Sequence, residues 1–511
     1  MITKINSVGL SGIQGYNIQV ECDVSPGIPA WEIVGIPDIA VRESKERIRS
    51  AVKHAGFQIP GKRMVVNLAP ADVKKEGAYL DLPIAIGILT ASEQLYLSNF
   101  HDAAFFGELS LDGSLRPIHG ALPMTITAYQ SGLKRVFLPA ENAREAAVVA
   151  GVEVFGIRNL EELLLHLRGE QILTPTTVDI DSLFRQAAET ELDFAEVKGQ
   201  KNAKRALEVA AAGGHNLLLI GPPGSGKTML AQRIPSILPE LSFEEALEVT
   251  KIHSIAGKLQ KEQPMVLTRP FRSPHHTVSP VGLTGGGGNP KPGEVSLSHH
   301  GVLFLDELPE FQKQTLEILR QPLEDGTVTI TRASGTFAYP CNVMLVASMN
   351  PCPCGYYGDK THTCSCSPVQ IHRYLGKVSG PLLDRIDLHI EVPAVPYEDL
   401  EQKQETSESS AAIKERVNRA RDLQRKRYQG SGIYSNSQLT PGMMEEFCQL
   451  KPEGKELLKQ AFENLGLSAR AHNRILKVAR TIADLAGSGT IEAIHLAEAI
   501  QYRSLDRKFW A

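Results

Sequence analysis

The stretch LLLIGPPGSGKTML, residues 217–230, decides the fold of the centre of the chain. Leu217–Ile220 is a short, wholly apolar run, the pattern of a parallel strand buried on both faces. The residues after Thr228 read as the start of a helix. Between them lies G-x-x-x-x-G-K-T, built from Gly221, Pro222, Pro223, Gly224, Ser225, Gly226, Lys227 and Thr228. Glycines at these positions let backbone N–H groups turn inward and cradle phosphates at a helix N-terminus. Lys227 is expected to reach the β- and γ-phosphates of ATP, and Thr228 to ligate Mg²⁺. A chance glycine loop is the competing reading, and the flanking strand and helix argue against it.

A phosphate loop of this kind calls for an acidic partner on a second strand. GVLFLDELPEF, residues 301–311, supplies one. Val302–Leu305 is apolar, and Asp306 and Glu307 fall where such a strand ends. Asp306 is expected to hold Mg²⁺ through water and Glu307 to polarise the attacking water. Taken alone, the segment also reads as a capped strand-to-helix turn.

The rest of the composition sets bounds. A chain of 511 residues, 42% hydrophobic and 22% charged, is an ordinary globular composition with room for two to four domains. No apolar run approaches the roughly 18 residues of a membrane span, and MITKINSVGLSG lacks an apolar signal core, so a cytoplasmic location is expected. A net charge of −4 excludes a uniformly basic surface and confines any nucleic-acid contact to loops or one face.

Four of the seven cysteines cluster in CPCGYYGDKTHTCSC: Cys352, Cys354, Cys364 and Cys366. Clustered cysteines in a reducing compartment favour metal over disulfides. Two C-x-C pairs could wrap one tetrahedral Zn²⁺, although C-x-C is tighter than the common C-x₂-C knuckle. Redox-labile thiols and no special role stay open. Cys22, Cys341 and Cys448 read as small core residues. The pairs His275–His276 and His299–His300 read as hydrogen-bonding groups, because neighbours on an extended segment point to opposite faces. The basic run through Lys414, Arg416, Arg419, Arg421, Arg425, Lys426 and Arg427 reads either as DNA-facing or as a solvated helix face.

The expected organisation is α/β. Residues 1–168 form a first domain and 169–190 a linker. Residues 191–396 form the nucleotide-binding core, with a possible zinc-binding insert at 352–366. Residues 397–511 form a helical linker and lid, with amphipathic periodicity through ARAHNRILKVARTIADLA.

Several signatures then agree on one resemblance. The phosphate loop, the LDE strand and VMLVASMNPCPCG together resemble an AAA+ ATPase of the magnesium-chelatase-like branch, and FRSPHHTVSPVGLTGGGGNPKPGEVSLSHHGVLFLDELPEF is especially close to that branch. Over nearly its full length the chain resembles the YifB/ComM family, bacterial proteins tied to natural transformation. VNLAPADVKKEGAYLDLPIAIGIL and GELSLDGSLRPIHGAL resemble the Lon-protease C-terminal domain, an α+β fold. The resemblance implies that Asn350 is the sensor-1 residue orienting the attacking water. It makes Arg385, in GPLLDRIDLHIEV, an arginine finger reaching a neighbouring subunit. It makes Arg470, with Arg474 second, the lid residue that feels the γ-phosphate. An ion pair of Arg385 with Asp384 or Asp387 is the plainer alternative. Where Lon carries its Ser–Lys dyad, this chain has Tyr79 and Pro123, neither of which can serve as an activated nucleophile or base, so proteolysis is not expected.

A finger acting between subunits implies a ring or helical oligomer, and the family implies a hexamer. The resemblance further implies an ATP-driven motor on DNA, a helicase or branch-migration factor in recombination. Two loops are candidates for the DNA contact. One is Gly285–Gly293, flexible through its glycines and carrying Lys291. The other is the hairpin implied by TVTITRASGTFAYP, with its turn at Ala333–Gly335 and Arg332 at the tip. Both could instead pack only against neighbouring subunits. A chelatase-like metal-insertion accessory and a protein remodeller are the competing functions.

Overall fold

The computed structural model describes residues 2–96, 100–186, 192–260, 263–288, 290–332, 335–359, 362–395, 408–465 and 468–510, without the side chains of 186, 465 and 507. The expected domain boundary at 396/397, the turn residues 333–334 and the linker's end at 187–190 lie outside them. The chain divides into two compact units. One comprises Met1–Gln186, Phe243–Leu267 and Thr331–Ala338; the other comprises Ala187–Ser242, Thr268–Ile330 and Tyr339–Ala511.

The first unit is built on a mixed seven-stranded sheet. Its strands are β1 (Ile2–Ser11), β2 (Gln14–Ser25), β3 (Ala30–Val34), β4 (Arg63–Ala69), β5 (Ala103–Phe105), β6 (Arg135–Pro139) and β7 (Glu153–Ile157), in the order β3-β4-β2-β1-β5-β6-β7. β1 and β2 form a long antiparallel hairpin in which Val20, Cys22 and Val24 alternate inward, the period-two pattern of a sheet with one covered face. Helices α1 (Ile39–His54), α2 (Asp81–Ala91), α3 (Ala121–Gln130) and α4 (Leu160–Leu167) complete this α+β unit. α1 starts where the Asp38 carboxylate accepts from the Val41 N–H at 2.8 Å, satisfying an orphan donor of the first turn. α2 is buried along nearly its whole length, as nine apolar residues in eleven demand. Tyr79 sits in a turn (Ala78–Leu80), its phenol pushed well above the ordinary value by burial. Pro123 is buried in the first turn of α3. In the expected linker, residues 173–176 stay on this unit: the Thr176 N–H donates to Val154 O at 2.8 Å.

The second unit carries a five-stranded parallel sheet. β8 (Leu217–Ile220), β9 (Phe271–Arg272), β10 (Val302–Leu305), β11 (Met344–Met349) and β12 (Leu388–Glu391) run in the order β9-β10-β11-β8-β12. β8, β10 and β11 are buried at every position, as continuous apolar runs in a doubly covered sheet must be. Helices α5 (Lys201–Gly213) and α6 (Lys227–Ile237) flank β8, and α7 (Pro368–Leu375) precedes β12. The C-terminal segment is helical: α8 (Ser410–Arg427), α9 (Pro452–Leu465), α10 (Ala469–Leu485) and α11 (Ala493–Gln501). α10 begins with the Ser468 hydroxyl accepting from the Ala471 N–H and buries Ile475, Val478, Ala479 and Ile482 on one stripe.

Three local expectations need correcting. The histidine pairs do hydrogen-bond, His275 Nδ1 with Thr277 Oγ1 at 2.9 Å and His299 Nδ1 accepting from the Asn342 N–H at 3.0 Å, but their rings are not opposed: in each pair the ring centroids lie 4.0 Å apart, and His300 has a φ of 54°. The described residues of the Gly285–Gly293 loop include a paired ribbon. Gly285–Gly286 pairs antiparallel with Lys291–Pro292, and a Cβ on Gly293 would lie 2.3 Å from the Gly285 nitrogen. Gly285 and Gly293 permit close backbone approach, whereas Gly288 faces open space, and the Tyr339 hydroxyl donates to Pro290 O at 2.7 Å. The basic run on α8 is largely paired. Lys414 meets Glu240, Arg416 meets Glu208 and Glu408, Arg425 meets Asp422, and Arg427 meets the buried Asp484.

Candidate active site

The site lies at the C-terminal ends of β8, β10 and β11, where the central strands of a parallel sheet deliver loops to one edge. Gly224 and Gly226 have φ values of 75° and 87°, conformations that glycine adopts without steric cost. A Cβ on Gly221 would meet Val392 O at 2.1 Å, so the backbone passes too close there for any other residue. The Ser225 hydroxyl is buried and has no hydrogen-bond partner, an orphan inside the phosphate loop.

Lys227 is only 9% exposed. Its Nζ donates to Gly221 O at 2.8 Å, Pro222 O at 2.9 Å and Asn350 Oδ1 at 3.2 Å. Burial lowers the affinity of this amine for its proton, against the attraction of Asp306 and Glu307. The Thr228 hydroxyl donates to Asp306 Oδ2 at 2.8 Å. The structure thus forms two hydrogen-bonded pairs, Lys227 with Asn350 and Thr228 with Asp306, carried by adjacent residues at the start of α6. A hydroxyl beside a carboxylate is the hard-oxygen donor set that Mg²⁺ takes, so these residues fit the ion.

Glu307 has φ 53° and ψ 50°, a left-handed conformation that a non-glycine residue holds only where its surroundings impose it. Its N–H points to Ser348 Oγ at 3.4 Å, and Ser348 in turn hydrogen-bonds Asp306 Oδ1. His276 Nδ1 lies 3.7 Å from Glu307 Oε2. Sequence reasoning missed the roles of Ser348 and His276 because both reach the acidic pair across the fold. It also missed Gln200. That residue, with φ 53°, bridges Ser225 O at 3.3 Å and Pro393 O at 2.7 Å, tying the phosphate loop to the residues after β12.

The three candidate arginines are placed differently. Arg385 is buried and pairs within its own chain with Glu324 at 2.5 Å, not with Asp384 or Asp387. It also donates to Arg320 O and Pro381 O. Arg474 pairs with Asp387, whose Oδ2 lies 3.3 Å from His215 Nδ1; His215 Nε2 contacts Thr481 Oγ1 at 2.8 Å. Burial alone would raise the Asp387 carboxyl, but Arg474 and His215 outweigh it and hold it well below the usual carboxylate range. Arg470 is 62% exposed, with Asp384 at 3.7 Å.

The four clustered cysteines converge. Cys352 Sγ lies 3.3 Å from Cys354 Sγ and 3.7 Å from Cys364 Sγ, Cys354 and Cys364 are 3.6 Å apart, and all four sulfurs lie within 4.8 Å of one another. Four thiolates about 2.3 Å from a tetrahedral zinc would be about 3.8 Å apart, so the residues fit the metal. The segment lies against the phosphate loop: a Cβ on Gly355 would be 2.5 Å from Pro223 Cδ. Cys22, Cys341 and Cys448 are buried elsewhere. Lys291 is exposed on its short ribbon. Arg332 is exposed at the end of the hairpin strand Thr327–Arg332, which pairs with Gly335–Pro340. No helix among the described residues is long and apolar enough to cross a membrane.

Residues 193–400 match the family model described as magnesium chelatase, subunit ChlI. Residues 20–142 match one described as subunit ChlI of Mg-chelatase, and residues 407–503 match the ChlI C-terminal model. The chain is 44% identical over 499 residues to competence protein ComM of Haemophilus influenzae, covering 97% of this chain and 96% of that protein. It is 44% identical over 497 residues to YifB of Escherichia coli, with the same coverage. A shorter likeness, 27% identity over 145 residues, links 27% of the chain to 26% of Lon protease 2 of Bacillus subtilis.

Proposed function

The chain belongs to the ComM/YifB family of magnesium-chelatase-like AAA+ ATPases, and from that premise we propose that it is an ATP-driven ring motor acting on DNA, a helicase or branch-migration factor of recombination during natural transformation. The observation that carries the ATPase part is the two neighbouring pairs Lys227–Asn350 and Thr228–Asp306, with Glu307 next to Asp306. In this reading the phosphate-loop N–H groups and Lys227 hold the β- and γ-phosphates, Lys227 exchanging its carbonyl partners for phosphate oxygens. Thr228 and Asp306 hold Mg²⁺, which neutralises charge on the phosphates when bound. Glu307 accepts a proton from the attacking water, and Asn350 orients that water. Ser348 fixes Asp306, and His276 faces the Glu307 carboxylate.

Arg385 reaches the γ-phosphoryl group of a neighbouring subunit in a cytoplasmic homo-oligomer, a hexamer. There it stabilises charge that develops in the transition state, once released from Glu324. Arg470, exposed on α10, senses the γ-phosphate from the lid. Arg474 anchors the lid to the core through Asp387. Cys352, Cys354, Cys364 and Cys366 hold a structural Zn²⁺ that cross-links the segment after β11 and braces Pro223. Lys291 and Arg332 meet DNA phosphates, which carry no sequence information.

Two observations support DNA over the alternatives. Lys291 is exposed on a ribbon whose backbone is pinned, and the full-length relative from Haemophilus influenzae is a competence protein. A chelatase-type role is the second reading, favoured by the descriptions of the matching family models. The N-terminal unit does not separate the two, since residues 20–142 match a model so described. The test is ATP hydrolysis with and without single-stranded, duplex and branched DNA. Stimulation by DNA supports the motor; hydrolysis indifferent to every DNA supports the second reading.

A further inference from the structure

The first unit contains a cavity of about 680 Å³ that the ATPase reading leaves without a role. It lies between the edge strand β3, the last turns of α1 and residues 56–62. This volume falls within the range of about 300–1,000 Å³ typical of ligand sites. Two aromatic side chains, Trp31 and Phe57, contribute to its wall. Three cations, Arg49, Lys53 and Lys62, line it as well, and no carboxylate does. Arg49 and Lys53 stand four residues apart on α1 and so share one face of the helix. Among the described residues Arg49 meets the exposed Glu46, at 3.3 Å, a surface pair worth little. The guanidinium of Arg168 lies 4.5 Å from the centre of the Phe57 ring, with the exposed Glu170 at 3.8 Å. The Trp31 indole N–H is buried and has no partner, a donor left over by the fold.

This chemistry selects among ligands. A divalent cation would need oxygen donors that the lining lacks. A purely apolar ligand would leave the cations without partners. A flat, anionic ligand satisfies both halves of the wall: a ring to lie on Trp31 or Phe57, and a phosphate for the lysines. We propose that this cavity binds a nucleotide unit of single-stranded nucleic acid, with the base against the aromatic wall and the adjoining phosphates at Arg49, Lys53 and Lys62. The proposal rests on the reading of the chain as a DNA motor, and it gives the first unit a place in gripping the strand. A free nucleotide shares the same chemistry and is separated from a strand by experiment.

The chain has two tryptophans, Trp31 and Trp510, so Trp510→Phe in the full-length protein leaves Trp31 as the sole emitter at the site. Oligothymidylate, dTMP and inorganic phosphate are titrated separately, with no ATP present. In parallel, the anisotropy of labelled oligothymidylate is followed in the parent and in a Lys53→Glu/Lys62→Glu variant. The expected result is quenching of Trp31 by the oligonucleotide and much less by dTMP or phosphate. The variant is expected to bind the oligonucleotide at least about tenfold more weakly, with a salt slope smaller by about 2 and DNA-free hydrolysis unchanged. Oligonucleotide binding that neither changes Trp31 emission nor responds to the two substitutions overturns the cavity while leaving the motor reading intact. Quenching by dTMP equal to that by the strand makes the cavity a free-nucleotide site and overturns the strand proposal. Anisotropy that detects no DNA binding at all removes the motor reading and this proposal with it.

Discussion

Arg474 and Arg470 lie one turn apart on α10, and the structure predicts a large loss of stability on removing the first and little on removing the second. Asp387 is 7% exposed, and its carboxylate is held by Arg474, His215 and the Asn216 N–H, the last at 3.1 Å. Arg474→Ala leaves that carboxylate buried without its main countercharge. Removing one partner of a buried pair costs about 3–5 kcal/mol, because the remaining charge is left uncompensated. Arg470→Ala removes an exposed group 3.7 Å from Asp384, and such pairs are worth about 1 kcal/mol or less. Urea unfolding followed by Trp510 emission, in a Trp31→Phe background, measures both. Adding Asp387→Asn to Arg474→Ala is expected to recover part of the loss, because the stranded charge is then gone. The pH dependence has a definite sign. The Asp387 carboxyl is depressed in the folded state, so its contribution is present above the unfolded value near about 3.9 and is lost as pH falls below it. The gap between parent and Arg474→Ala should therefore narrow in acid. An Arg474→Ala protein that unfolds within about 1 kcal/mol of the parent, but has lost ATP turnover, would refute the anchor reading and make Arg474 the nucleotide sensor.

Glu307→Gln is expected to bind ATP with near-parental affinity and abolish turnover, checked by nucleotide titration beside steady-state phosphate release. Arg385→Ala is expected to lower kcat by roughly 10³ or more with nucleotide affinity within a few-fold; mixed with Lys227→Ala subunits it should regain activity above the sum of the two, measured across mixing ratios. Purified protein never exposed to chelator should carry about one zinc per chain by metal analysis, and Gly355→Ala, whose Cβ would meet Pro223 at 2.5 Å, should weaken ATP binding.

The legible parts of the sequence were those whose chemistry is local. Gly221 to Thr228 could be read because strand, loop and helix follow within a dozen residues, and Asp306 and Glu307 because an apolar strand delivers them. The parallel sheet and the lid helices followed from runs and periodicities of the same kind. Long-range partners were not legible. Nothing near Arg385 in the chain announces Glu324, and nothing near Asp306 announces Ser348. The basic run on α8 stayed open between a DNA face and a solvated helix face because its partners Glu208, Glu240 and Asp484 are distant in sequence. The glycines of 285–293 suggested mobility, whereas the structure uses Gly285 and Gly293 for close backbone approach. The histidine rings were misplaced because the backbone around them is turned, not extended.

The central claim is that ATP hydrolysis at Lys227, Asp306 and Glu307 drives work on DNA through Lys291 and Arg332. It is tested most directly by ATPase rate and strand displacement on a branched DNA, for the parent and for Lys291→Ala/Arg332→Ala. The account predicts DNA-stimulated hydrolysis and strand movement in the parent, and in the variant loss of both with DNA-free hydrolysis nearly intact, because neither substitution touches the nucleotide site. Strand movement by the variant at the parental rate would contradict the assigned DNA contact, and a parent whose hydrolysis ignores DNA and moves no strand would contradict the claim itself.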